Sequence, residues 1–307
     1  MAVSLDGKVA LVTGAGAGLG REYALLLGKL GASVVVNDLG VGLKGDAGES
    51  DAADRVVEEI KAAGGKAVAD KHNVADPAAA PEMIAAATDA FGTIDILINN
   101  AGILRDSSFP KMTAQNFEDV LRVHLFGAFQ LTHAAWPVMK AQKYGRIIFT
   151  TSPAGTNGNF GQTNYGAAKL GLIGMMNCLA LEGKKDNVLV NAIAPGARTR
   201  MTEGATSDEL AQYLRPELVA PAVAWLSSEN CTDTGILINA IGGYFSRMMY
   251  CESPGVQFDP RDPVTVDMFD EAYDRIKDMD GATPVKPGPL GDLIPRLTAM
   301  GRLTETN

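Results

Sequence analysis

Three side chains have types and spacing that suit the removal of a proton from an alcohol. Tyr165 and Lys169 are four residues apart on a predicted helix and share one face of it, and Ser152 comes 13 residues before the tyrosine, just past a predicted strand. A phenol with a pKa of about 10 is a poor base, but a neighbouring ammonium stabilises its phenolate. A serine hydroxyl can hydrogen-bond the substrate oxygen. These groups could move a proton while a cofactor moves a hydride, although Y-x-x-x-K alone also fits a solvated helix face.

A glycine-rich loop follows the first predicted strand and opens the first predicted helix. Gly14, Gly18 and Gly20 have the spacing G-x-x-x-G-x-G, with Gly16 and Leu19 between them. Glycine lets backbone N–H groups approach a pyrophosphate, and the N-terminus of the helix adds its positive end. No Gly-Lys-Ser/Thr occurs, so this is not a Walker loop. A merely flexible loop is the alternative, but the position between strand and helix favours a dinucleotide site.

Asp38 indicates which dinucleotide. It ends the second predicted strand, 18 residues beyond Gly20, where a carboxylate can accept hydrogen bonds from the adenosine ribose hydroxyls. The same charge repels a 2′-phosphate. Arg21 is the nearest cation and is expected to face outward from its helix. The pattern therefore favours NAD over NADP, the alternative being that Asp38 is only a turn residue before Gly40.

Short β-branched runs alternate with longer helical patterns, which predicts βαβ units and a parallel sheet covered on both faces, a Rossmann-type doubly wound α/β fold. The predicted strands span 9–12, 33–37, 67–69, 95–98, 146–150, 188–193 and 235–239. The predicted helices span 19–30, 52–63, 78–91, 115–139, 164–182 and 207–227, the last broken near Pro216 and Pro221, and two more are predicted in the extension over 264–279 and 290–300. The glycine loop, Asp38, Asn99, Ser152 and Pro195 all come at the C-terminal ends of these strands, the edge where open α/β sheets bind ligands.

Composition excludes several other classes of protein. The 307 residues carry 27 Lys and Arg against 36 Asp and Glu, a net charge of −9, which disfavours general nucleic-acid binding. The three cysteines and three histidines lack metal-ligand spacing, so no metal and no disulfide framework is expected. No signal peptide, apolar run of membrane-spanning length or terminal targeting address is recognised, and the expectation is a cytoplasmic protein without a membrane partner.

The motifs taken together resemble the short-chain dehydrogenase/reductase family over residues 6 to about 243: Gly14-x-x-x-Gly18-x-Gly20, Asn99-Asn100-Ala101-Gly102, Ser152, Tyr165-x-x-x-Lys169 and Pro195-Gly196. The resemblance implies Asn99 and Ala101 beside the adenosine and Pro195-Gly196 beside the nicotinamide. Further cofactor contacts that it implies are Asn73, Val74, Asn100, Gly102 and Thr199, together with Tyr165 and Lys169.

Longer stretches are similar to the dehydrogenase domains of the type 2 peroxisomal multifunctional enzymes and their bacterial stand-alone relatives, at residues 36–40, 100–106, 142–148 and 158–165. This similarity implies oxidation of (3R)-3-hydroxyacyl-CoA esters or 17β-hydroxysteroids with NAD. A 3-oxoacyl reductase, another short-chain alcohol dehydrogenase and a catalytically silent NAD(H)-binding regulatory protein are the alternatives.

Two positions depart from the family pattern. His124 stands where many members have an asparagine that completes a proton relay through water. An imidazole can take that role by bonding a backbone carbonyl or water, and a buried histidine without catalytic function is the alternative. Thr199 follows Pro195-Gly196 one residue earlier than usual, and is expected to reach the nicotinamide carboxamide.

Residues 1–243 are predicted to form the catalytic core, and 244–307 an extension packed on the core or on a partner subunit. Helix 164–182 is apolar nearly all round, which predicts a homodimer or homotetramer. The substrate, a steroid or an acyl-CoA, is expected near the segment after Gly196. Side chains there and in the extension could line an apolar pocket or meet a CoA phosphate: Met201, Tyr244, Phe245, Met248, Met249, Arg198, Arg200 and Arg247.

Overall fold

The core of the chain is a sheet of eight strands. The computed structural model describes residues 2–42, 50–199, 207–285 and 293–302. The strands of the sheet are β1 (Val9–Thr13), β2 (Ser33–Asn37), β3 (Lys66–Asp70), β4 (Ile96–Asn99), β5 (Gly145–Thr150), β6 (Val188–Gly196), β7 (Leu237–Ile241) and β8 (Tyr244–Met248). They lie in the order β3-β2-β1-β4-β5-β6-β7-β8, and β1 to β7 run parallel to one another. This confirms the predicted Rossmann-type doubly wound fold.

Helices cover both faces of this sheet. They are α1 (Gly18–Lys29), α2 (Ala52–Ala62), α3 (Ala79–Phe91), α4 (Ala114–Leu121), α5 (Gly127–Ala141), α6 (Pro153–Thr156), α7 (Thr163–Gly183), α8 (Asp208–Ala211) and α9 (Ala220–Leu226). Every residue of β1, β4 and β5 is buried, because parallel strands between two helical layers have no face toward water. The near-continuous apolar runs that identified these strands in the sequence reflect this burial.

Parallel pairing brings the C-terminal ends of the inner strands to one edge. Val12 of β1 is in register with Val36 of β2 and with Ile98 of β4. The glycine loop therefore leaves the sheet beside Asp38 and Asn99. The segment that follows β5, which carries Ser152, leaves at the same edge. The predicted gathering of these residues at the ligand-binding edge is confirmed at the level of topology.

The helix predicted over 115–139 is two helices, and that prediction was wrong in its continuity. A π-helical turn, Arg122–Phe126, separates α4 from α5. In a π turn the backbone N–H bonds the carbonyl oxygen five residues earlier instead of four, which widens the helix locally. Because the residues of the turn include no Pro or Gly and a single glycine, Gly127, only begins α5, the sequence pattern does not reveal the extra residue.

The chain divides into two compact units, Met1–Arg247 and Met248–Asn307. The second unit contains β9 (Cys251–Glu252), α10 (Val266–Lys277), β10 (Thr283–Pro284) and α11 (Leu293–Ala299), with β9 and β10 paired antiparallel. Its two helices were predicted, whereas the strands β8, β9 and β10 were not. Among the described residues, no helix combines the length and the apolarity that crossing a bilayer requires.

Candidate active site

A cavity of about 290 Å³ opens at the C-terminal edge of the sheet, between the loops that follow β1, β2, β3 and β4. Ten of the residues predicted to bind a cofactor line it: Gly14, Gly18, Leu19, Asp38, Asn73, Val74, Asn100, Ala101, Gly102 and Thr199. Residues that sequence reasoning did not single out also line it, among them Asn37, Val41, His72, Ile103 and Val123. The glycine loop and the loop after β4 thus form two walls of one pocket.

The glycines of the first loop are required by close approach. Gly14 has φ +62°, and a Cβ there would lie 2.8 Å from Cα of Ala101. Gly18 has φ +55° and opens α1. A Cβ on Gly20 would lie 2.2 Å from the carbonyl oxygen of Gly14. Any larger residue would push the loop off the helix or fill the cavity, so the backbone N–H groups stay accessible to a phosphate.

Asp38 is held rigidly in the cavity wall. Its Oδ2 accepts a hydrogen bond from the backbone N–H of Gly16 at 2.8 Å, and its Oδ1 accepts one from Gly40 at 2.8 Å. A Cβ on Gly16 would lie 2.7 Å from the same carboxylate, so Gly16 supports Asp38 instead of lining the cavity. Arg21 forms ion pairs with Glu22 and Glu59, as expected for a side chain directed away from the loop.

Polar contacts tie the loop after β4 to the glycine loop. Asn100 donates from Nδ2 to the carbonyl oxygens of Thr13 at 2.9 Å and Gly14 at 3.2 Å. The hydroxyl of Thr13 accepts from the backbone N–H groups of Asn100 and Ala101, both at 3.0 Å. The predicted residue Asn100 therefore shapes the pocket by binding the backbone of Thr13 and Gly14.

Ser152, Tyr165 and Lys169 come together beside this pocket. Ser152 caps α6, its Oγ accepting from the N–H of Ala154 at 3.1 Å, which leaves the hydroxyl proton available. Tyr165 and Lys169 lie on α7, and the Nζ of Lys169 is 5.4 Å from the centroid of the Tyr165 ring. Lys169 is buried and donates from Nζ to the carbonyl oxygen of Thr150 at 2.6 Å.

Burial opposes the charged form of both groups on α7. It raises the pKa of Tyr165 to about 12, a rise that a hydrogen bond with Ser152 counteracts and the charge of Asp106 reinforces. Burial also lowers the pKa of Lys169 to about 7. Two neighbouring ionisable groups whose pKa values are both strongly shifted are typical of a catalytic site.

His124 lies in the π turn and packs against the tyrosine. Its ring meets that of Tyr165 edge-on, with centroids 5.1 Å apart, and its Nε2 lies 2.9 Å from the carbonyl oxygen and 3.1 Å from the N–H of Ile103. Burial, with a smaller effect of the charge on Lys169, holds the pKa of His124 well below its usual range, so the imidazole is neutral. Its Nδ1 is buried without a protein partner.

His124 also lines a second, smaller cavity, whose wall includes Thr13, Asn99 and Lys169. Asn99 donates from Nδ2 to the Thr132 hydroxyl at 3.3 Å, while its Oδ1 has no partner. Asn99 is thus placed at this cavity and is absent from the described wall of the larger one. Two unpaired polar atoms around one small space are the condition under which a buried water is held.

The remaining predicted residues lie further from the larger cavity. Pro195 and Gly196 are the last residues of β6, are half-buried and do not line it. Arg200 and Met201 lie outside the described residues. His72 is the notable residue that was missed. It bonds Asp70 at 2.7 Å and Glu82 at 2.8 Å, which raises its pKa, and an Asp two residues before a strand-end His was the available signal.

Comparison with known proteins agrees with this geometry. A family model described as short chain dehydrogenase matches residues 8–210. The peroxisomal multifunctional enzyme type 2 of Drosophila melanogaster is 48% identical over 303 residues, which cover 96% of this chain and 50% of that protein. The solved structure of that full-length enzyme matches with a TM-score of 0.80 and 43% identity over 97% of this chain and 50% of that one. The chain therefore spans about half the length of this relative.

Two further proteins match over most of their own length. A protein of Mycobacterium tuberculosis named as a short-chain type dehydrogenase/reductase is 48% identical over 90% of this chain and 96% of that protein. A solved 7α-hydroxysteroid dehydrogenase, in complex with NADH and 7-oxo glycochenodeoxycholic acid, matches with a TM-score of 0.71 and 32% identity, over 78% of this chain and 95% of that one.

Proposed function

The chain belongs to the short-chain dehydrogenase family, and from this premise we propose that it is an NAD-dependent dehydrogenase that oxidises a secondary alcohol to a ketone. The observation that carries the proposal is the meeting of Ser152, Tyr165 and Lys169, with Lys169 lining a small cavity that shares wall residues with the glycine-walled one. Proton transfer and dinucleotide binding are the two functions that this edge combines.

Tyr165 is the group that takes the proton from the substrate hydroxyl. Ser152, which lies close enough to the phenol to lower its pKa, donates a hydrogen bond to the substrate oxygen and orients it. The protonated form of Lys169 places a positive charge 5.4 Å from the centroid of the Tyr165 ring and stabilises the phenolate, which is needed because burial keeps the phenol protonated at neutral pH. A nicotinamide, when bound, would act as the acceptor of the hydride from the carbinol carbon.

The residues of the larger cavity fit a dinucleotide. Gly14 and Gly18 adopt left-handed backbone conformations that clear the space above the loop, and the first turn of α1 supplies N–H groups for a pyrophosphate. Asp38 is positioned to accept the ribose hydroxyls, and no Lys or Arg is among the described residues of the cavity wall. A carboxylate without a cation beside it supports NAD in preference to NADP.

His124 is proposed to relay protons from Lys169 through water. Its neutral imidazole, the unpaired Nδ1 and the small cavity that it shares with Lys169 support this role. The contact between Nε2 and the backbone of Ile103 fixes the orientation of the ring and leaves Nδ1 as the nitrogen without a protein partner. The role of Thr199 at a nicotinamide carboxamide stays a prediction, supported by its position across from Gly18.

A (3R)-3-hydroxyacyl-CoA ester and a 17β-hydroxysteroid are the proposed substrates. The similarity to the peroxisomal multifunctional enzyme type 2 supports both, as the sequence resemblance implies, and the likeness to a 7α-hydroxysteroid dehydrogenase supports a hydroxysteroid. A panel of (3R)-3-hydroxyacyl-CoA, 17β-estradiol and testosterone with NAD, read by NADH formation, tests the proposal. NADH formation with one class identifies the substrate. No turnover of any of them, with NAD bound, would contradict the function.

Assembly and location follow from the same premise. Phe129 of α5 and Leu170 and Leu181 of α7 are exposed in the single chain, which supports a homodimer or homotetramer buried along these helices. The cytoplasmic location predicted from the sequence is kept as a proposal, and the peroxisomal name of the Drosophila relative is the competing indication.

A further inference from the structure

We propose that Asn164, assisted by Gln162, is a positioning residue that holds Tyr165 in register with the chain segment at residues 105–107. The inference rests on the function proposed above, because it concerns the placement of the same tyrosine. It adds two residues that neither the motif pattern nor the cavity linings point to.

Asn164 is fully buried and every one of its polar groups is used. Its Oδ1 accepts from the backbone N–H of Tyr165 at 2.8 Å. Its Nδ2 donates to the carbonyl oxygens of Arg105 at 3.1 Å and Asn116 at 3.2 Å. One side chain thus joins the first turn of α7 to the 105–107 segment and to the first turn of α4. A buried amide with all bonds satisfied rigidifies what it connects.

The same two segments are joined twice more. The backbone N–H of Ser107 donates to the carbonyl oxygen of Gly161 at 2.9 Å, and the Nε2 of Gln162 donates to Oδ2 of Asp106 at 2.7 Å. We call these two bonds, together with those of Asn164, the strap between segments 105–107 and 161–165. The strap determines how far the carboxylate of Asp106 lies from the phenol of Tyr165.

That distance matters because Asp106 acts on the base electrostatically. Its charge raises the pKa of the phenol, in addition to the larger effect of burial. The other titratable groups that face Tyr165 are Lys169 on its own helix and His124 on the π turn. A shift of about 1 Å in such an arrangement can cost on the order of 10²-fold in rate, even when no reacting group is removed.

Asn164→Asp is the most specific test. It keeps the side-chain volume and Oδ1, but it replaces the Nδ2 donor by an oxygen that faces two carbonyl oxygens. We expect kcat to fall about tenfold or more, with KM for NAD within about twofold of wild type. Thr163→Ala, an exposed neighbour on the same turn, is the matched control and leaves kcat unchanged. An Asn164→Asp protein that folds and keeps wild-type kcat overturns the proposal.

Gln162→Glu tests the strap from the surface, where the fold is not at risk. A second carboxylate beside Asp106 repels it and raises the phenol pKa further, so the rising limb of the kcat–pH profile moves to higher pH. A profile identical to wild type overturns the proposal, including when Asn164→Asp does not fold. Hydrogen exchange separates this from the proposed function: loss of protection at the Tyr165 and Ser107 amides in Gln162→Glu or Asn164→Asp needs no substrate, whereas an inactive wild-type protein contradicts the function alone.

Discussion

The ring of His124 occupies the space that a side chain on Gly102 would need. A Cβ built on Gly102 would lie 2.2 Å from Cε1 of the imidazole and 2.9 Å from Nε2. Gly102 also lines the larger cavity, and the adjoining residue Ile103 bonds the same imidazole. Gly102, the last residue of the Asn-Asn-Ala-Gly motif, therefore lies between the larger cavity and the imidazole ring that packs against Tyr165.

Gly102→Ala is expected to destabilise the protein and weaken NAD binding. The methyl group must displace a buried ring, and overpacking of this kind costs about 1–3 kcal/mol. Thermal unfolding and NAD titration measure both effects. The double variant Gly102→Ala/His124→Ala provides the space and should recover part of the unfolding free energy. Strict additivity of the two single changes would contradict the contact as the cause.

Tyr165→Phe should lower turnover by at least about 10²-fold while NAD still binds, because it removes the proton acceptor and leaves the cavity lining intact. Single-turnover kinetics on the best substrate of the panel and an NAD titration check the two parts. Ser152→Ala is expected to reduce kcat by about 10²-fold through loss of the bond to the substrate oxygen. Substantial turnover by Tyr165→Phe would assign the base to another residue.

Asp38→Asn should relax the preference for NAD over NADP. The amide keeps one acceptor oxygen for the backbone, but it removes the charge that repels a 2′-phosphate. We expect the NAD-to-NADP ratio of kcat/KM to fall about tenfold or more, corresponding to about 1.4 kcal/mol. Asp89→Asn, an exposed carboxylate on α3, is the control and should leave the ratio unchanged. An unchanged ratio in Asp38→Asn would remove Asp38 from cofactor selection.

Lys169 should make the stability of the cofactor-free protein depend on pH. Its folded pKa of about 7 lies below its ordinary value, so the unfolded state binds more protons between these values and stability rises with pH in that range. The stability is lost as the pH falls toward 7. In Lys169→Met this rise should be absent, and the variant should be inactive yet at least as stable as wild type near neutral pH. Thermal melts of both proteins from pH 7 to 10 measure the difference, and parallel curves would refute it.

Sequence patterns were sufficient for the parallel strands β1 to β7. Strands such as β1 and β5 are buried throughout, so their apolar runs are unambiguous. Asp38 and Tyr165 could be proposed from the sequence because few other residue types do the chemistry assigned to them. The weak strand predicted at 67–69 was also correct, since β3 spans Lys66–Asp70.

The features that the sequence did not reveal depend on contacts between segments that are far apart along the chain. Asn164 precedes Tyr165, but its importance comes from carbonyl groups 48 and 59 residues away. His72 lines the larger cavity and is held there by Glu82 on α3, and Gly102 is constrained by a ring in the π turn. The strand β8 has an alternation too short and too exposed to be distinguished from a loop. In each case the type of the residue is ordinary, and only the fold makes it specific.

The π turn at Arg122–Phe126 makes the number of residues in this stretch as important as their identities. A π turn takes up one residue more than a regular helix would, so α4 and α5 keep the phase of one continuous helix on either side of it. One residue fewer would restore a regular helix and leave α4 and α5 in place, but it would change which side chain lies at the position where the His124 ring meets Tyr165. A single-residue deletion here is therefore expected to preserve the fold and to disturb the wall behind the tyrosine.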